Sequence, residues 1–137
     1  MTIPDKLRLL VETYEPIADP LERMALVVES GGHPGTLLPE AKRNEETRIR
    51  GCVSAAWISG ELHEGASHFR CAADSPLVQG LLACLCSFFS GLPASEVAAS
   101  DEDPLATLGL TRNLSPTRQN GLRHARERIR EIARSLA

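Results

Sequence analysis

Aromatic side chains are scarce in this 137-residue chain, which has one Trp, one Tyr and three Phe. None lies in the arginine-rich C-terminal stretch that carries Arg118, Arg123, Arg126, Arg128, Arg130 and Arg134. Single-stranded bases therefore have no stacking platform there. Glu127 and Glu131 dilute its charge, and the whole chain carries a net −3, where a nucleic-acid binder would more often be basic. The stretch reads as a solvated helix face, and no nucleic-acid partner is expected. Nucleotide-binding signatures are missing as well: there is no G-x-x-x-x-G-K-[ST] and no G-x-G-x-x-G. His33, His63, His68 and His124 are scattered and form no H-x-x-x-H pair, and no two cysteines stand at the C-x₂₋₄-C spacing of zinc sites. Neither a metal nor a cofactor of the chain's own is expected.

Long apolar runs are lacking too. Ser75 to Ser95 holds no charge, yet Gln79, Gly80, Ser87, Ser90, Gly91 and Pro93 interrupt it. Its most apolar part, Leu81 to Phe89, falls well short of the roughly 20 residues of a membrane span. The N-terminal MTIPDKLRLLVETYEP places charges where a secretion leader needs an apolar core. The expected setting is the reducing cytoplasm, with Cys52, Cys71, Cys84 and Cys86 as thiols.

What is present is enough for a folded core. With 42% hydrophobic and 24% charged residues the chain is no candidate for disorder, and its length suggests a single domain over residues 1–137. Leu7, Leu10, Val11 and Tyr14 share one helical face between Pro4 and Pro16. Asp19-Pro20-Leu21-Glu22 combines a cap, a first-turn proline and a glutamate three residues after the cap. It predicts a second helix with Leu21, Met24, Ala25 and Val28 toward the core, stopped at Gly31-Gly32. A long loop follows to about Glu46. Arg48-Ile49-Arg50, Val53 to Leu62 and Ser67 to Ala73 read as extended, with His63-Glu64-Gly65-Ala66 as a turn. Ser75-Pro76 opens a helix that is apolar nearly all round and ends by Gly91, which makes it the most buried one. Ser95 to Ala98 and Pro104 to Leu108 suggest short helical turns. Ser115-Pro116 opens the last helix, with Leu122, Ala125, Ile129, Ile132 and Leu136 as its apolar stripe. The order ααβββααα predicts an α+β fold, a small antiparallel β-sheet of about three strands with helices packed on it.

Cys52 is the most pointed candidate for chemistry. It follows Gly51 where a charged, irregular segment turns apolar. A thiol used in exchange must be reachable and must ionise, and Arg48 and Arg50 would favour its thiolate. Local chemistry leaves a second reading open, a small hydrophobe at the start of a strand. Cys71, Cys84 and Cys86 sit in apolar, regular segments and read as packing residues. A partnership between Cys52 and a histidine depends on the fold and is not visible in the spacing.

The stretch LPEAKRNEETRIRGCVSAAW resembles the SufE family, the sulfur acceptors of iron–sulfur cluster assembly, through Leu38, Pro39, Arg48, Ile49, Gly51, Cys52, Ser54, Ala56 and Trp57. Two further blocks agree: Asp74-Ser75 followed by Leu77-Val78-Gln79-Gly80-Leu81, and Leu114-Ser115-Pro116-Thr117-Arg118-Gln119-Asn120-Gly121-Leu122. Val53, Pro76 and Asn113 depart from the family's usual glutamine, acidic residue and histidine. The resemblance implies a SufE/IscU-like α+β fold. It also implies a role as sulfur carrier: Cys52 accepts sulfane sulfur as a persulfide from a SufS-like cysteine desulfurase, stimulates that enzyme, and passes the sulfur to a SufBCD-like cluster scaffold. Pyridoxal phosphate would belong to the desulfurase, and the carrier would not itself be an enzyme. In such proteins the cysteine tends to tuck against the core when no partner is bound. Arg48, Arg50, Gly51, Ser54, Asp74 and Arg118 are the residues expected to shape the loop or touch the partner. The alternatives are an IscU-like cluster scaffold and a single-cysteine thiol redox protein.

Overall fold

In a computed structural model that describes residues 2–29, 35–51 and 54–137, two helices precede a β-hairpin and four helices follow it. They are α1 (Ile3–Tyr14), α2 (Pro20–Glu29), β1 (Ala56–His63), β2 (Ala66–Ala73), α3 (Pro76–Phe89), α4 (Ala94–Ala99), α5 (Pro104–Thr107) and α6 (Pro116–Leu136). A 3₁₀ turn at Glu40–Lys42 interrupts the long loop. The α+β class is as expected. The sheet has two full strands rather than about three, paired antiparallel with Ala56 opposite Ala73 and His63 opposite Ala66. The expected third strand shrinks to one bridge between Arg48 and Trp57, made by the Ile49 N–H to the Ala56 carbonyl at 2.8 Å and the Ile58 N–H to Thr47 at 2.7 Å. Gly51, at φ +86°, turns the chain away before a ladder can grow.

The other edge of the hairpin is covered as well. The Cys71 N–H donates to Thr36 and the Leu38 N–H to Cys71, both at 2.8 Å. Buried Ser67 places its hydroxyl and its N–H on the Leu92 carbonyl at 2.8 Å. These isolated bridges shorten the open stretches on both edges that would otherwise recruit another chain.

Caps fix where the helices begin. Thr2 and Asp5 form a reciprocal capping box on α1, the Ser75 hydroxyl accepts from the Val78 N–H on α3, and the Ser115 hydroxyl accepts from the Arg118 N–H on α6. Each of the last two precedes a proline, whose missing N–H costs nothing in a first turn. As expected, α3 is the most buried helix: Leu81, Leu82, Leu85, Cys86, Phe88 and Phe89 are all in the core. At 14 residues it is no membrane span, and among the described residues no helix is long and apolar enough to be one. The stripe of α6 also packs as read, with Leu122, Ala125, Ile129 and Ile132 buried.

The face of α2 needs correction. Leu21 is 72% exposed and Ala25 is exposed too, while Val27 is the buried residue and Met24 and Val28 are part-buried. The cause is the contact with α3: a Cβ on Gly80 would stand 2.5 Å from the Val28 Cα. That close approach rolls α2 onto its Met24–Val27–Val28 face, and its first turn overhangs solvent. The expected stop at Gly31-Gly32 lies outside the described residues.

Candidate functional site

Cys52 and Val53 lie outside the described residues, so the site is built from what flanks them. On the N-terminal side stand Arg48, Arg50 and Gly51, all exposed. Arg48 and Arg50 line a polar bowl of about 350 Å³, together with Glu45, His124, Glu127 and Arg128. On the C-terminal side stands Ser54, at the rim of a second cavity of about 330 Å³. Val78, Leu81, Leu82 and Leu122 give this one an apolar lining, and Ser115, Thr117 and Arg118 give it a polar edge. Arg118 is the one ionisable side chain among the described residues that line it. In sequence, then, Arg50 of the charged bowl and Ser54 of the largely apolar cavity stand on either side of Cys52.

The sequence fits each of these parts to its place. The tie between Thr47–Ile49 and β1 anchors the base of the loop. The Asp74 N–H donates to the Ala55 carbonyl at 3.1 Å, so the turn after β2 holds the residue beside Ser54. The Gln79 side-chain oxygen accepts from the Ala73 N–H at 2.7 Å, locking α3 to the end of β2. The Gln119 amide donates to the carbonyls of Thr111 and Leu114 at 2.8 and 3.0 Å, setting the approach to α6. Asp74 itself is exposed and meets the site through its backbone.

Of the residues singled out by sequence, Ser54 and Arg118 meet in the apolar cavity, and Arg48 and Arg50 meet in the bowl. Among the bowl residues that sequence reasoning did not assign to the site are His124 and Glu127. The His124 ring lies against Gly51: a Cβ built there would stand 2.7 Å from both Cδ2 and Nε2. On the ring's other side Nδ1 is 3.8 Å from a carboxylate oxygen of Glu127. The signal lay in the periodicity of α6. Thr117, Gly121, His124, Arg128 and Glu131 recur at helical spacing, and all five line one or other of the two cavities, beside Arg118, Leu122 and Glu127.

The other thiols are core groups. Cys71 and Cys86 are fully buried, and burial together with neighbouring Cys71 holds Cys86 well above the usual thiol range. Burial pushes the Cys84 thiol up to about 11. Among the described residues no three His, Cys, Asp or Glu side chains converge as a metal site would require.

Comparison with known proteins agrees with this arrangement. The model of the SufE family, an Fe-S metabolism associated domain, matches residues 8–133. An uncharacterized SufE-like protein of Rhizobium etli is 40% identical over 105 residues, covering 73% of this chain and 71% of that one. An uncharacterized SufE-like protein of Synechocystis is 30% identical over 120 residues, covering 88% and 75%. SufE-like protein 1 of Arabidopsis thaliana, chloroplastic/mitochondrial, is 31% identical over 88% of this chain, which spans 32% of that longer protein. A hypothetical protein from Thermus thermophilus, solved in solution, shares the fold with a TM-score of 0.76, covering 99% of this chain and 98% of that one at 19% identity. The family pattern runs through nearly the whole chain, and the three sequence blocks gather around one cavity: the chain belongs to the SufE family, and its place is in iron–sulfur metabolism.

Proposed function

We propose that the protein is a sulfur carrier: Cys52 accepts sulfane sulfur as a persulfide from a cysteine desulfurase, stimulates that enzyme, and hands the sulfur to a cluster scaffold. One observation carries this reading. Ser54 from the first block, Val78 and Leu81 from the second, and Ser115, Arg118 and Leu122 from the third line a single cavity. That cavity begins two residues from Cys52. A packing role for Cys52 would not call for three separate segments to build one largely apolar cavity that starts at Ser54.

The chemistry suits the setting. The Cys52 thiolate attacks the outer sulfur of the donor persulfide, and the donor cysteine leaves as a thiolate. Attack on the inner sulfur would give a mixed disulfide instead. The loop must therefore reach the donor and afterwards shield its cargo from reductants. Gly51 at φ +86° gives the chain a turn that other residues resist. Val78, Leu81 and Leu82 supply an apolar wall against which the cargo is shielded, and Arg118 places a positive charge at its edge for an anionic persulfide. Asp74 shapes the loop through Ala55, and Arg48 and Arg50 present cations to the partner. Pyridoxal phosphate chemistry belongs to the desulfurase, and the carrier turns over only with that enzyme, in the cytoplasm.

The test is intact mass after mixing the protein with a cysteine desulfurase and cysteine. A reductant-sensitive gain of one sulfur, about 32 Da, is expected in the wild type and absent in Cys52→Ser. Undiminished loading of that variant overturns the reading.

A further inference from the structure

We propose that the groove between α1 and α3 binds a small amphipathic carboxylate, with its alkyl chain along the apolar walls and its head group on Lys6. The inference goes beyond the carrier reading and does not depend on it. The groove measures about 530 Å³, larger than either cavity beside the loop, and shares no lining residue with them. That volume lies within the roughly 300–1,000 Å³ of small-molecule sites. Leu9, Leu10, Tyr14, Val27 and Phe88 give it apolar walls.

The way α1 is held leaves the groove open. The Ile3 N–H donates to the Glu96 carboxylate at 2.8 Å, and Lys6 Nζ donates to the Ser87 carbonyl at 3.0 Å. The apolar stripe of α1 is less well served. Leu7, Leu10 and Tyr14 are only partly buried against the core, and no residue of α1 is buried. Leu9 is 45% exposed. A ligand that covers this face gains the transfer of its own chain as well, about 4-fold in affinity for each methylene buried.

Electrostatics select the head group. No Asp or Glu lines the groove, and Lys6 is the one cation of its lining. The neighbouring Asp5 is engaged by Arg8 and by the Thr2 N–H, both at 3.0 Å. Among the described residues Lys6 has no acidic partner, and the Ser87 carbonyl takes one of its three N–H donors. Burial lowers the pKa of the ammonium, as expected of a cation that is short of water and has no anion beside it. Burial pushes the Cys84 thiol up to about 11, so it adds no negative charge to the groove at neutral pH. A carboxylate on Lys6 makes a charge-assisted hydrogen bond. One ammonium matches its single charge better than the charge of about −2 on a phosphate monoester. Lys6 stands at one end of the α1 wall and Tyr14 at the other, about 12 Å further along the helix. That length suits a chain of roughly eight to ten carbons.

The measurement is an amide NMR titration of the full chain with hexanoate, octanoate and decanoate, and with 1-octanol as the uncharged control. Wild type is compared with Lys6→Gln and Leu9→Glu. Lys6→Gln keeps an N–H for the Ser87 carbonyl, Leu9 is a rim position, and circular dichroism checks both folds. Octanoate should shift the amides of Lys6, Leu10, Cys84 and Ser87, and bind about 4- to 15-fold more tightly than hexanoate. Lys6→Gln should weaken octanoate about 5- to 10-fold and leave 1-octanol unchanged. Leu9→Glu should weaken octanoate more than 1-octanol. The proposal is overturned if decanoate at about 1 mM moves none of these amides, or if wild type and Lys6→Gln bind octanoate alike. It is equally overturned if the same amides shift with protein concentration alone, because the groove would then face a second copy of the chain. Sulfur loading of Cys52 is measured separately, so any of these results leaves the carrier reading standing.

Discussion

Gly51 is where a single residue decides most. Its φ of +86° excludes other residues at a cost of about 1–2 kcal/mol, and the His124 ring stands where a Cβ would go. The two causes can be separated. Gly51→Ala should lose about 1–2 kcal/mol in urea unfolding from the backbone alone. Adding His124→Ala removes the clash and leaves the backbone cost, so the double variant should be no less stable than Gly51→Ala; a further loss of similar size would show that the two residues do not touch. The glycine before the cysteine was conspicuous in the sequence as a loop residue. Its second constraint was not, because His124, more than seventy residues further along the chain, supplies it.

At the scale of elements, the caps and prolines wrote their boundaries into the sequence. Ser75-Pro76 and Ser115-Pro116 begin α3 and α6 where the local pattern says. The facing of α2 was not written there, because two adjacent apolar positions, Val27 and Val28, serve either side of a helix equally well. The crossing with α3 chose between them. Gly80→Ala tests that crossing: its methyl meets backbone, the Val28 Cα at 2.5 Å, rather than a side chain that can swing away. The expected loss is about 1–3 kcal/mol of overpacking, read as a lower urea midpoint with α2 amides exchanging faster. An unchanged midpoint would mean that α2 moves aside freely.

Across the whole molecule, burial of thiols ties stability to pH. Burial raises the thiols of Cys84 and Cys86 in the folded state above the reference of 9.0. A raised folded value means that the unfolded chain loses its proton first. Stability from this source is complete below about 9 and is lost as pH rises toward about 11. Thermal unfolding of wild type and Cys84→Ala from pH 8 to 11 reads the effect as a difference, which should narrow with rising pH as the wild type loses stability faster. A constant difference would show that Cys84 titrates alike in both states. The amino-acid order by itself determined the α+β class, the helix starts, the hairpin and the three blocks of the family pattern, because caps, turns and hydrophobic periods act over a few residues. Only the tertiary structure decided that those blocks share one cavity, that the third strand dwindles to a bridge, and that His124 rests on Gly51. The first and last depend on how α6 docks, and the second on the backbone turn at Gly51; packing and backbone geometry of that kind leave no mark in local spacing.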